Sequence, residues 1–235
     1  MKQIFIATLL ALGLFAQEIY KVGTGYDYPP FDYIENGEIV GFEIDLVRAV
    51  AKELGIQVEP VTMPFDGLIA ALKVGKIDII SAGMSYTSQR AKNAEFTKSI
   101  FDSKNYYLKL KGNDKINSLD DLSNGAIIGA KIGTLQADEI TNLKGVKPYL
   151  NEEYIVLINS TLNGKIDGFV MEEPVAKSYM KKYPNLEVFA TSSIEGMSLA
   201  FKKGNTKLRD DFDKTIEKFK QDGTYLKLLE KYNLN

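Results

Sequence analysis

An aromatic and proline cluster, YDYPPFDY at residues 26–33, follows a short apolar stretch near the start of the chain. Proline has no backbone donor, so the two prolines prevent this cluster from pairing as a central strand. The sequence therefore predicts that its aromatic side chains lie on a loop. Flat aromatic faces hold aliphatic chains and guanidinium groups well, which indicates either a ligand site or ordinary core packing.

Two segments of the chain resemble each other: GKIDIISAG at 75–83 and GKIDGFVME at 164–172. Each predicts the end of a helix followed by a buried strand, with polar residues at the carboxyl end of the strand. Ligands of open α/β sheets bind outside those strand ends. We therefore expect the chemistry to lie where these two strands end.

The composition excludes several kinds of chemistry. The 235 residues contain no histidine, cysteine or tryptophan, so the commonest general base and the usual zinc and iron–sulfur ligands are absent. Any catalysis would have to use carboxylates, lysine, tyrosine or serine. The net charge of −2 provides no basic stripe for nucleic acid. We expect no cofactor and no nucleic-acid partner.

The N-terminal stretch MKQIFIATLLALGLFAQE has the composition of a secretory signal. One lysine precedes an apolar run too short to span a bilayer, and a small residue precedes polar sequence. We expect cleavage after Ala16 and export to the periplasm, although Leu14 fits the small-residue rule at its position poorly. The alternative is a buried N-terminal strand or helix.

Hydrophobic periodicity predicts an α/β fold. The stretch from Glu18 to Gly83 has the order β-α-β-α-β, and SYTSQRAKNA after it predicts a further helix with Ser85 or Thr87 as the cap. A polar, extended segment at 103–115 separates this part from a second α/β cycle. The tail, LRDDFDKTIEKFKQDGTYLKLLEKYN, predicts two amphipathic helices that break at Asp222-Gly223.

Five segments in this order resemble the extracytoplasmic solute-binding proteins of polar amino-acid ABC transporters, family 3, of the arginine-, lysine- or glutamine-binding type. The segments are YPPFDY with GFEIDLVRAVAKELG, FDGLIAALKVGKIDIISAGMSYTSQRAK, IGAKIGT, GKIDGFVMEEPVA and DGTYLKLLEKYNLN. The resemblance implies a type II periplasmic-binding fold, with two α/β lobes joined by two hinge strands. It places residues 17–107 and 199–235 in lobe 1 and residues 108–198 in lobe 2. It also implies an amino-acid ligand, a membrane permease as partner and a monomer.

The resemblance also implies the residues that hold the amino-acid backbone. Arg90, with Ser85 and the Gly83 carbonyl, would form the wall that binds the carboxylate, because a planar guanidinium pairs well with that group. Lobe 2 would add backbone N–H groups at Gly133-Thr134-Leu135, at a helix start. Glu172 stands where the family usually has an aspartate that accepts from the α-ammonium, and Glu173 is the alternative.

For the ligand side chain, the resemblance implies an aromatic sandwich of Tyr28 and Phe65. Phe31 and Tyr33 are expected in the core, and Tyr26 is open. Asp27 and Asp66 could meet a cationic side chain. Lys131 would line the pocket and repel such a ligand unless Glu172 or Glu173 neutralises it, and the family's first-loop aspartate is Gly25 here.

Lysine or arginine is the expected ligand, with glutamine or another neutral polar amino acid as the alternative. A rival from another class is a cyclohexadienyl dehydratase, which shares this scaffold and uses a carboxylic acid in the cleft as general acid. The ligand-sensing domain of a receptor or channel is disfavoured.

Overall fold

The computed structural model describes residues 19–235. The predicted signal sequence and its cut after Ala16 lie outside the described residues. Within residues 19–235, no helix combines the length and the apolar character needed to cross a bilayer.

The described chain alternates strands and helices. The strands are β1 Ile19–Thr24, β2 Asp27–Tyr28, β3 Asp32–Glu35, β4 Glu38–Val40, β5 Gln57–Thr62, β6 Ile79–Ile80, β7 Ala94–Phe96, β8 Lys104–Leu110, β9 Ile127–Lys131, β10 Lys147–Asn151, β11 Gly168–Glu172, β12 Leu186–Ser193 and β13 Ala200–Lys202. The helices are α1 Phe42–Leu54, α2 Leu68–Lys73, α3 Leu135–Asn142, α4 Tyr154–Leu162, α5 Glu173–Lys182, α6 Thr206–Asp222 and α7 Thr224–Lys231. Short 3-10 turns cover Phe65–Gly67, Arg90–Lys92 and Asp120–Asn124.

The first sheet has the strand order β5-β1-β6-β13-β7. Strand β1 pairs in parallel with β5 and β6, and β13 runs antiparallel to β6 and β7. Helix α1 buries an apolar face that includes Leu46, Val47 and Val50. It ends at Gly55, whose left-handed backbone (φ 69°) closes the helix. This is the predicted β-α-β-α-β unit.

The second sheet repeats the plan with the order β10-β9-β11-β8-β12. Strand β9 pairs in parallel with β10 and β11, and β8 runs antiparallel to β11 and β12. The predicted α/β fold with two sheet-based lobes is confirmed. The tail returns to the first lobe, where α6 and α7 contact α1 and break at Gly223 as predicted.

The chain passes between the sheets in two short segments, 97–103 and 194–199, which separate β7 from β8 and β12 from β13. All of β8 pairs within the second sheet. The boundary expected between residues 107 and 108 falls inside this strand, because the alternating polar residues of Lys104–Leu110 give it the pattern of an exposed connection. The division into lobes stays a prediction, and sheet membership would move its first boundary to before Lys104.

The local predictions differ from the structure at two places. The helix predicted from SYTSQRAKNA is a single 3-10 turn, Arg90–Lys92. Ser85 pairs with Met197 in an isolated β-bridge and the chain enters β7 at Ala94, so both ends of the segment are held in extended pairing. The cluster YDYPPFDY is not all loop: β2 and β3 form a hairpin whose turn contains both prolines.

Candidate functional site

A cavity lies between the two sheets and is lined by residues of both. Small-molecule sites are commonly concave and found between domains. Most of the residues predicted to contact a ligand line it; Asp27, Asp66 and Gly133 do not. The lining consists of Gly25, Tyr28, Asp32, Phe65, Ala82, Gly83, Ser85, Arg90, Lys131, Thr134, Leu135, Gln136, Tyr154, Glu172 and Ile194. Both lobes therefore contribute to one enclosed site.

Arg90 occupies one wall of the cavity. Its Nη1 donates to the carbonyl oxygen of Ser85 at 2.8 Å, and its Nη2 donates to that of Gly133 at 2.9 Å. The hydroxyl of Thr87 accepts from the Arg90 backbone N–H at 3.0 Å and fixes the turn. The guanidinium lies 5.5 Å from the ring centre of Phe65, and burial lowers its pKa. Nη1 and Nη2 thus each donate one hydrogen bond to the backbone, and the remaining N–H groups of the guanidinium are available to a ligand.

The start of α3 forms the facing wall. Thr134 is the N-cap: its Oγ1 accepts from the Ala137 N–H at 3.2 Å and donates to the Lys131 carbonyl at 2.7 Å. The first N–H groups of a helix have no partner within the helix and carry the positive end of its dipole. Leu135 and Gln136 line the cavity at this position. An anionic group of a ligand would be stabilised between this helix start and Arg90.

The two glutamates at the end of β11 point to different places. Glu172 lines the cavity, is 2% exposed, and its Oε2 has no hydrogen-bond partner among the described residues. Burial raises the pKa of Glu172 to about 8, and the nearby Glu43 adds to the shift. Glu173 instead accepts from the Tyr106 hydroxyl at 2.7 Å and pairs with Lys177 at 2.6 Å, away from the cavity. Of these two glutamates, Glu172 is the one that lines the cavity.

The aromatic residues form a more extended wall than the predicted pair. Tyr28 stacks on Tyr154 of the other lobe, with ring centres 5.9 Å apart. Gly83 is required beneath this ring, since a Cβ there would lie 2.5 Å from Tyr28 Cε1. Phe65 faces Arg90. Phe31 is fully buried among other aromatic rings, as expected for the core.

Lys131 and Asp27 form an ion pair at the edge of the cavity. Lys131 lines the cavity as expected, but the acid that neutralises it is Asp27, not Glu172 or Glu173. The expectation that Asp27 is free to meet a ligand is not supported by this arrangement. Asp66 is exposed and does not line the cavity; it packs against Gly133 instead.

Asp32 is the acid that sequence reasoning missed. It is 1% exposed, and its Oδ2 accepts from the Gly25 N–H at 2.7 Å, whereas Oδ1 has no partner among the described residues. Burial, with a contribution from Glu43, holds the pKa of Asp32 well above its usual value. A Cβ on Gly25 would lie 2.5 Å from Oδ2. The absence of a side chain at Gly25 thus leaves room for the carboxylate of Asp32.

Glu43 is buried directly behind the cavity. Its Oε1 accepts from the Gly83 N–H at 2.9 Å, and its Oε2 accepts from the Ser81 hydroxyl at 3.1 Å. Burial raises the pKa of Glu43 to about 7. Glu43 could have been recognised from the sequence, because it stands in the apolar face of α1 and a buried acid needs a specific partner.

Two lobes joined by two short passages, with a charged cavity enclosed between them, define a two-lobed solute-binding protein. The family described as bacterial extracellular solute-binding proteins, family 3, matches residues 20–235, and the chain belongs to this family.

Similar proteins and structures agree with this assignment. A probable histidine-binding protein of Campylobacter jejuni is 40% identical over 217 residues, which cover 91% of this chain and 84% of that protein. The arginine-binding extracellular protein ArtP of Bacillus subtilis is 31% identical over 218 residues, covering 90% and 84%. The structure of an ancestral arginine-binding protein bound to arginine has 37% identity and a TM-score of 0.87, with 91% and 97% of the two chains covered. The same values of identity and TM-score apply to an ancestral arginine-binding protein bound to glutamine, with 92% and 98% covered. The predicted type II periplasmic-binding fold is confirmed.

Proposed function

We propose that this chain binds a free basic amino acid, arginine or lysine, between its lobes and delivers it to the membrane permease of an ABC transporter. The observation that carries the proposal is a pair of buried carboxylate oxygens, Asp32 Oδ1 and Glu172 Oε2, in the cavity that also contains Arg90; neither has a partner within residues 19–235. Buried polar atoms are nearly always paired, so these two oxygens indicate that donors are supplied by a ligand.

A basic amino acid supplies the matching groups. Its carboxylate fits Arg90 and the start of α3, its α-ammonium fits Glu172, and its cationic side chain fits Asp32. Stacked aromatic rings beside the acids suit an aliphatic or guanidinium side chain. The histidine- and arginine-binding relatives and the arginine-bound structure support a cationic ligand. The glutamine-bound structure keeps glutamine, or another neutral polar amino acid, as the alternative.

Calorimetric titration of the purified protein with arginine, lysine, histidine and glutamine tests the ligand preference. Arginine or lysine should bind at least about tenfold more tightly than glutamine, and Asp32→Asn should reduce that ratio. Tight binding of glutamine with no measurable binding of arginine or lysine would contradict the basic ligand. The protein is expected to act as a monomer in the periplasm, without a cofactor.

A cyclohexadienyl dehydratase is the second candidate, and one observation favours it. A general acid must retain its proton near neutral pH, and the pKa of Glu172 is raised to about 8. Lys131 does not counter this shift by pairing with Glu172, because it pairs with Asp27. We nevertheless propose binding without turnover, since an incoming α-ammonium would lower the pKa of this carboxyl. Formation of phenylpyruvate from prephenate by the wild type, lost in Glu172→Gln, would reverse the assignment.

A further inference from the structure

Asp27 connects the two lobes through three separate contacts. Its carboxylate pairs with Lys131 at the end of β9, and Oδ2 accepts from the Tyr154 N–H at 3.1 Å at the start of α4. Its backbone carbonyl accepts from the Tyr179 hydroxyl of α5 at 2.8 Å. The two charged side chains are 13% and 9% exposed. One residue of the hairpin in lobe 1 is thus held by three elements of lobe 2.

The ammonium of Lys131 lies at the boundary between this contact and the cavity. It is 5.0 Å from the ring centre of Tyr154 and 5.8 Å from that of Tyr26. Lys131 and Tyr154 both line the cavity, whereas Asp27 does not. Asp27 therefore stands behind Lys131 as seen from the cavity, and contact with a ligand falls to Lys131.

We infer that Asp27 sets the charge preference of the cavity by neutralising Lys131, and that it does so without touching the ligand. Asp27 is a positioning residue that acts through Lys131. This inference rests on the proposed function, because it specifies which amino-acid side chains the same cavity accepts.

The physical reason is the cost of a buried charge without a partner. With Asp27 ionised beside it, Lys131 adds little net positive charge to the wall, and a cationic side chain can enter next to Asp32. If the carboxylate of Asp27 is removed, a nearly buried ammonium is left without its counter-ion. That ammonium then repels a cationic ligand side chain and attracts an anionic one.

Three amino acids with graded side-chain charge test the inference: arginine, glutamine and glutamate. In Asp27→Asn, we expect calorimetry to show that the affinity ratio of arginine to glutamine falls by about tenfold or more, and that the ratio of glutamate to glutamine rises. Lys131→Met should shift both ratios in the opposite direction. The double variant Asp27→Asn/Lys131→Met should return them to near the wild-type values. Melting curves of each variant check that it is folded.

Tyr179→Phe is the matched control, because it removes a contact between the lobes at the same residue without changing a charge. It should weaken all three amino acids alike. If Asp27→Asn and Lys131→Met also changed all three affinities by the same factor, Asp27 would only stabilise the contact between the lobes. The inference would then be wrong.

Failure of the proposed function gives a different result. A wild type that binds glutamine but neither arginine nor lysine would contradict the basic ligand, while the ratio of glutamate to glutamine would still test Asp27. A wild type that binds none of the three, and no lysine, would overturn both.

Discussion

Arg90 hydrogen-bonds across the cavity to the backbone of Gly133, with Nη2 2.9 Å from the carbonyl oxygen. The same guanidinium holds the carbonyl of Ser85 in its own lobe through Nη1. The fork therefore bridges the lobes, and its position depends on the closed arrangement. A carboxylate that enters the cavity would meet a cation already oriented by backbone oxygens, which lowers the cost of ordering it.

Replacing Arg90 should abolish binding while the protein stays folded. In Arg90→Ala, the site loses a charge-assisted pair worth about 1.5–3 kcal/mol or more in a closed cleft. Arg90→Lys should restore binding only in part, because an ammonium lacks the planar fork. Arg48→Ala, on the exposed side of α1, is the control and should bind as the wild type does. Calorimetry that placed Arg90→Ala within threefold of the wild type would exclude the proposed carboxylate role.

Closure of the lobes should depend on the absence of a side chain at Gly133. A Cβ at this position would lie 2.9 Å from Asp66 Cβ in the opposite lobe, and the backbone has φ 77°. Gly133→Ala should therefore hold the lobes apart and weaken binding. Gly164 also has a positive φ, 68°, but its surroundings are open, so Gly164→Ala measures backbone strain alone.

Small-angle scattering with and without saturating arginine follows this closure. The wild type and Gly164→Ala should become more compact with ligand, whereas Gly133→Ala should remain extended. A radius of gyration that does not change in the wild type would leave the hinge closure unsupported.

Local hydrophobic patterns predicted the α/β order of the two lobes, whereas the residues of the cavity were predicted from the resemblance to the family. The buried strand before Gly83 and the cap Thr134 before α3 are set by neighbouring residues, and their side chains lie where expected. The partners of the charged residues were less predictable. Lys131 could have been neutralised by several acids, and only the three-dimensional arrangement selects Asp27, more than a hundred positions away in the chain.

The burial of Asp32 could not be predicted from the sequence either. In sequence it is one of two aspartates in the aromatic cluster, and the pattern alone does not reveal which is buried. The hairpin of β2 and β3 turns Asp32 towards Gly25 and the cavity, and leaves Asp27 facing lobe 2. The prediction is wrong here because a hairpin occupies the segment for which the sequence predicts a loop.

The neighbouring acids Glu172 and Glu173 should differ sharply when each is replaced by glutamine. Glu172→Gln removes the proposed partner of the α-ammonium, and its amino-acid binding should weaken by about tenfold or more. Glu173→Gln removes an ion pair with Lys177 on the outer side and should leave binding unchanged. Calorimetric titration of both variants with arginine makes the comparison. Equal effects of the two substitutions would contradict the assignment of Glu172 to the ligand.

The buried acids also predict how stability and binding depend on pH. The pKa values of Glu43 and Glu172 are raised from 4.5 to about 7 and about 8, chiefly by burial, and the pKa of Asp32 is raised as well. Lys131 opposes the shift of Asp32, and polar groups of Tyr28 and Gln136 oppose that of Glu172. Between about pH 5 and pH 8, the folded, ligand-free protein therefore holds more protons than the unfolded chain. Its free energy of unfolding must decrease as the pH rises through this range.

Binding of arginine should show the opposite dependence. A cationic ligand beside Asp32 and Glu172 favours their ionised forms, lowers their pKa values and releases protons. Its affinity should therefore rise with pH until about pH 8 and then level off.

The melting temperature of the ligand-free protein should fall from about pH 5 to pH 8, while the increase caused by saturating arginine becomes larger. Calorimetry in buffers with different ionisation enthalpies should detect the released protons, and Glu172→Gln should reduce their number. Arginine affinity that is constant over this range, without proton release, would show that these carboxyls are already ionised in the empty cavity.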